Sequence, residues 1–220
     1  MDWWATIDAY CERTSAAFWA EPINAISNLA FFVAGTAGLW LLRQRGGRDR
    51  PALALSFLVL VIGTGSFLFH TFATRWASLA DVLPIAIFIY SYFALALFRF
   101  LGLSRLWAGL GTLAFFAASF LAEPLFAPLV GSSAGYVPAL LAMLGIGGIL
   151  VFVGSPIGSL VLMAGGVFLV SLTFRTLDGP LCETLPIGTH FLWHILNGTT
   201  LGLLLVAAIR HGPVRRPAGN

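Results

Sequence analysis

The sequence predicts an all-α membrane protein: a bundle of seven transmembrane helices, N-terminus outside and C-terminus in the cytoplasm. Three observations predict it. Hydrophobic residues make up 59% of the chain and charged residues 10%, against roughly 25% charged in a soluble domain. The apolar residues fall into seven stretches, each near the ~20 residues that a bilayer core requires. The basic residues, all of them arginine, gather in alternate loops.

Residues 1–20 are polar and aromatic. Trp3, Trp4, Tyr10, Phe18 and Trp19 suit an interfacial segment, because aromatic rings favour headgroup depth. No basic stretch followed by an apolar core marks a cleavable signal peptide here. The helical domain is expected over 21–209, and a basic cytoplasmic tail over 210–220. A first span runs from about Glu21 to Leu42 and a second from about Pro51 to Ala73, joined by an arginine- and glycine-rich loop. Thr74, Arg75 and Ser78 form a short polar link to a third span, about Ala80 to Phe98. The fourth covers roughly Leu106 to Leu121. A loop with Glu123, two prolines and Gly131-Ser132-Ser133 should follow. The fifth runs from about Val137 to Val153, the sixth from about Ile157 to Phe174. A loop from Arg175 to Leu185 leads to the seventh, about Pro186 to Ile209.

The arginine count orients these spans. Arg43, Arg45, Arg48, Arg50, Arg99, Arg105, Arg210, Arg215 and Arg216 fall on one side, and Arg13, Arg75 and Arg175 on the other. The arginine-rich side is cytoplasmic. A bacterial inner membrane with the site toward the periplasm is the expected location. No nucleic-acid partner is expected, and the sequence does not specify an oligomeric state.

With that topology, five polar groups from three helices share one depth in the outer half of the membrane: Ser66, His70, Asp81, His190 and His194. His190 and His194 stand four apart, on one helix face. An ionisable side chain inside a membrane is costly unless it faces the bundle interior and has a partner. Three imidazoles are the ligand set of a catalytic zinc site that keeps a fourth position open. Asp81 is placed to carry a proton, and Ser66, one turn before His70, to donate to a developing oxyanion. Structural alternatives remain: histidines bonding between helices, Asp81 orienting a histidine, and Ser66 bonding back to its own helix.

These residues resemble the alkaline ceramidases. The resemblance rests on Gly65-Ser66-Phe67-Leu68-Phe69-His70, Asp81-Val82-Leu83-Pro84 and His190-Phe191-Leu192-Trp193-His194, in that order. It extends to Tyr10-Cys11-Glu12 and to Glu21-Pro22-Ile23-Asn24-Ala25-Ile26-Ser27-Asn28. The family sits in a superfamily of seven-helix zinc hydrolases that includes the progestin/adiponectin receptors. The resemblance implies zinc on His70, His190 and His194, Asp81 activating water, Ser66 stabilising an oxyanion, and ceramide or a related N-acyl lipid as substrate. It also implies calcium near the N-terminus, with Glu12 and Glu21 at ligand positions and Tyr10 at a carbonyl position. Ala9 and Thr14, however, stand where the family has aspartate and asparagine. The alternative is that Glu12 and Glu21 cap the first helix or pair with Arg13 or Arg175. The resemblance further implies a Cys11–Cys182 bridge, against two free thiols. A competing reading is a seven-helix receptor or sensor with structural zinc. A transporter would call for charges at the midplane, which the apolar spans lack.

Overall fold

The structure, a computed structural model, describes residues 2–212. Residues 213–220, with Arg215 and Arg216 of the expected tail, lie outside the described residues. The fold is all-helical: α1 (Pro22–Ser27), α2 (Leu29–Gln44), α3 (Arg50–Phe72), α4 (Arg75–Leu95), α5 (Arg105–Val130), α6 (Val137–Phe152), α7 (Gly158–Leu181) and α8 (His190–Arg210). A π-helical turn, Ala96–Phe100, extends α4, and a 3₁₀ turn, Gly131–Tyr136, joins α5 to α6. Among the described residues the only β contact is an isolated bridge between Thr6 and Thr74.

Local chemistry sets the helix ends. Asp49 accepts from the Ala52 amide at 3.2 Å, and Pro51 occupies the first turn of α3, where its missing N–H costs nothing. Ser104 caps α5 through the Trp107 amide. α3 ends on Ala73 in the left-handed region, φ 46°. That conformation strains a residue with a Cβ. The N-terminal segment holds it there: Ile7 donates to the Ala73 carbonyl at 2.7 Å, and Arg75 to that of Ala5 at 3.1 Å.

Six stretches are long and apolar enough to cross a membrane: Pro22–Gln44, Arg50–Phe72, Arg75–Phe100, Arg105–Phe152, Gly158–Leu181 and His190–Arg210. The fourth is 48 residues long and contains both α5 and α6, which the sequence reading counts as separate spans. α5 also runs through the expected loop, with Glu123, Pro124 and Pro128 inside the helix. A proline removes one backbone donor, but an apolar environment leaves the chain no better option than to stay helical. Likewise, α7 continues through Arg175 and Asp178 to Leu181, where a loop was expected, and α4 begins at Arg75, not Ala80.

The helices pack as a closed ring, each touching the next from α2 to α8, with α8 returning to α2 and also reaching α3. The core inside the ring includes Phe31, Val59, Ile62, Phe88, Leu150 and Leu205. Outward faces stay apolar: Leu121, Leu129 and Phe152 are 78%, 76% and 91% exposed. Such a belt is foreign to a soluble monomer and suits contact with lipid. On the arginine-rich face, Asp49 takes two hydrogen bonds from Arg99, at 2.6 and 2.9 Å, and Arg99 also donates to the Ala208 carbonyl. This ties α3, the π-turn and α8 together.

A candidate metal centre

Two helices supply three imidazoles. His70 lies in the last turn of α3, and His190 and His194 in the first turns of α8. All three are at most 2% exposed. Their ring centroids are 4.6 Å apart for His70–His194 and His190–His194, and 5.1 Å for His70–His190. One nitrogen from each lies within 4.8 Å of the others.

The outward nitrogens of two rings are engaged, and this fixes what the inward ones present. His70 Nδ1 lies 2.6 Å from Glu21 Oε2. A carboxylate accepts, so Nδ1 carries the proton, and in the neutral ring Nε2 keeps its lone pair. His194 Nδ1 lies 2.7 Å from Ser27 Oγ. The Ser27 hydroxyl donates its proton to the Asn24 carbonyl at 2.8 Å, so Ser27 accepts from His194, whose Nε2 is again a bare lone pair. His70 Nε2 and His190 Nδ1 are buried without any hydrogen-bond partner. Buried polar atoms are seldom left so. Three nitrogens, the inward lone pairs of His70 and His194 and the partnerless Nδ1 of His190, fit a zinc ion, whose ligands take just this kind of outer partner.

Ser66 reaches the cluster from α3, and α4, which carries Asp81, approaches α3 closely there. Gly65 packs directly on the Ala80 backbone, leaving no room for a β-carbon. Ser66 Oγ is 3.5 Å from His194 Nε2. Asp81 stands outside the three-histidine group, and its buried Oδ1 has no partner.

Other residues position these. Asp178, 2% exposed, accepts from the amides of Thr189 (2.7 Å), His190 (2.9 Å) and Cys11 (3.0 Å). It thereby fixes the start of α8 and pins the N-terminal segment beside it. Cys11 and Cys182 form a disulfide, the pairing the resemblance implies, so the sulfurs beside Asp178 are not metal ligands. Tyr10 stacks on His190 with centroids 3.6 Å apart. Burial pushes its phenol above the usual range, so the stacked ring is neutral. Spacing gave no signal for Asp178 or Tyr10 as partners of the histidine helix. Ser27 was a polar residue in an apolar span, and that was the available sign.

Glu12 and Glu21 each accept from N–H donors of the chain. Both Glu12 oxygens accept from the start of α1, at 2.7 Å from the Ile23 amide and 2.8 Å from that of Asn24. Glu21 Oε1 receives Arg13 Nε at 2.5 Å, while Oε2 receives His70 Nδ1 and, at 3.1 Å, Asn24 Nδ2. Calcium needs six to eight oxygens. Here all four carboxylate oxygens hold N–H donors, one of them from a cation. The expected calcium ligands instead cap α1 and pair with Arg13.

Inside the ring an apolar cavity is lined by Ile62, Phe88, Tyr92, Phe115, Met143 and Leu204 among others, and it reaches Asn197 and Thr200 on α8, below His194.

No curated protein matches the chain. The family model for Ceramidase matches residues 4–212, a range that takes in the three histidines, Ser66, Asp81, the N-terminal segment and every helix. The chain belongs to the ceramidase family.

Proposed function

We propose that this protein is a membrane-embedded, zinc-dependent amide hydrolase that cleaves ceramide or a related N-acyl lipid to a free amine and a fatty acid. The observation that carries this reading is the convergence of His70, His190 and His194, with inward-facing lone pairs on the first and last, and Ser66 at 3.5 Å from His194. The family supplies the reaction class, an amide hydrolysis.

His70, His190 and His194 would hold the zinc, with Glu21 and Ser27 fixing the first and last of these rings. Bound there, zinc supplies Lewis acidity and lowers the pKa of water to roughly 7. Asp81 would take the proton from the attacking water and deliver it to the leaving nitrogen. Water oxygen bonds to the acyl carbon, the C–N bond breaks, and the amine leaves with the proton that Asp81 carried. The Ser66 hydroxyl would donate to the carbonyl oxygen as it gains charge. Such a donor is worth about 2.7–4 kcal/mol in a studied protease. The ring cavity would take the acyl chain, with the amide held at histidine depth.

We read the topology as seven crossings, with α5 and α6 as two of them. α6 alone has 16 residues, about 24 Å at 1.5 Å per residue, and the preceding 3₁₀ turn lengthens it toward the ~30 Å core. The N-terminus would lie outside and the metal centre near the outer surface. A bacterial periplasm is the compartment this suggests, and the Cys11–Cys182 bridge suits an oxidising one.

The test is metal analysis together with ceramide hydrolysis by wild type and His194→Ala. Stoichiometric zinc with hydrolysis, both lost in the variant, is the expected result. Stoichiometric zinc without cleavage of any lipid amide would make the metal structural, as in a receptor.

A further inference from the structure

Glu21, one of the positions that the resemblance gives to calcium, is held by a cation of the chain itself. Arg13 is the only buried arginine among the described residues, 8% exposed. Its guanidinium gathers one carboxylate oxygen and three carbonyl oxygens. Nε donates to Glu21 Oε1 at 2.5 Å, Nη1 to the carbonyls of Ser15 (3.1 Å) and Ala17 (3.5 Å), and Nη2 to the His70 carbonyl at 3.2 Å. Carboxylate and carbonyl oxygens are also the ligands a hard divalent cation collects. The planar fork suits them because its N–H groups point in fixed directions.

We propose that Arg13 is the fixed cation of this site. It would replace the divalent ion and act as a positioning residue for the metal centre. His70 is gripped twice through it. Its carbonyl bonds to Arg13 Nη2, and its ring nitrogen Nδ1 bonds to the carboxylate whose other oxygen Arg13 holds. Backbone and ring are thus set together, and the His70 Nε2 lone pair is aimed at the cluster. Charge points the same way. The Glu21 carboxylate is neutralised by one guanidinium, and that of Glu12 is spent on the amides of α1. A second, divalent charge would meet no free carboxylate among these residues. The zinc centre of this chain is accordingly indifferent to calcium.

This inference rests on the reading of His70 as a zinc ligand. The experiment therefore separates the two, using detergent-solubilised full-length protein and readouts other than turnover. Thermal midpoint and zinc retention against a chelator are measured for wild type in millimolar calcium and in buffer freed of calcium beforehand by a chelating resin. They are then measured for Arg13→Ala and Arg13→Lys in both conditions, with and without methylguanidinium. Wild type should show the same midpoint and the same zinc retention with calcium as without it. Arg13→Ala should bind zinc roughly 10–100-fold more weakly, the usual cost of losing an outer partner of a metal ligand. Methylguanidinium should restore most of that loss, whereas urea, of similar shape but uncharged, should not. Calcium that raises the wild-type midpoint, or wild-type zinc that is held more weakly in calcium-free buffer, overturns the proposal. So does an Arg13→Ala protein that holds zinc like wild type, or whose loss methylguanidinium leaves unchanged. Should Arg13→Ala not fold, Arg13→Lys decides: it should keep the charge and the calcium indifference yet bind zinc more weakly. Zinc retention equal to wild type would refute the role of the fork. If wild type binds no zinc at all, the hydrolase reading fails, and the calcium response of the midpoint still tests the Arg13 cation.

Discussion

Replacing Gly65 by alanine adds one methyl group at the point where α3 meets α4. The added carbon would overlap the Ala80 carbonyl oxygen and lie 2.7 Å from its carbon and 3.2 Å from the Asp81 nitrogen. Carbon pairs pack at about 3.5–4.0 Å, so the helices must part by about 1 Å. The neighbour is backbone, which cannot swing aside as a side-chain tip can. Overpacking of this kind costs about 1–3 kcal/mol. The larger effect should be on turnover, because the parting falls between Ser66 and Asp81. A misplacement of about 1 Å in reacting groups can cost on the order of 10²-fold. Zinc should remain bound, since α8 supplies two of the three rings and His70 lies beyond the contact. The assay is ceramide turnover alongside zinc content and thermal midpoint, with Gly148→Ala as control, whose added carbon meets nothing within 4 Å. A Gly65→Ala protein with wild-type turnover would refute the argument that the α3–α4 approach sets the geometry of Ser66 and Asp81.

Three further outcomes are expected. Ser27→Ala removes the 2.7 Å partner of His194 Nδ1, and zinc affinity measured by chelator competition should fall about 10–100-fold. Asp178→Asn cannot hold all three amides as a carboxylate does, and equilibrium unfolding should show a loss of about 1–3 kcal/mol. Alkylation of native protein without reductant should label neither cysteine. Breaking that bridge, which spans a separation of 171 residues, should destabilise by at most about 5 kcal/mol on the chain-entropy view.

The sequence made the histidine cluster readable because its signal is local. His190 and His194 are four apart, and the arginine bias puts His70 at their depth without any knowledge of packing. The partners of these rings were hidden, because the contacts join residues 49 and 167 positions apart. Helices that are apolar on nearly every side do not announce which face turns inward. Glu21 was legible only as a ligand, yet the structure uses it as the link between Arg13 and His70. The stretch from Glu123 to Pro128 was misread for a physical reason. Prolines that end helices in water do not end them where the surroundings offer the backbone no other partner. That error leaves α5 and α6 as one long apolar stretch between Arg105 and Phe152.

The most direct measurement is zinc K-edge X-ray absorption on purified protein, with wild type compared to His70→Ala. The account predicts one zinc per chain, three imidazole nitrogens at about 2.0–2.1 Å and a light-atom fourth ligand, with the imidazole count or the zinc itself lost in the variant. Sulfur ligation, an absence of zinc, or an unchanged spectrum from His70→Ala would contradict it.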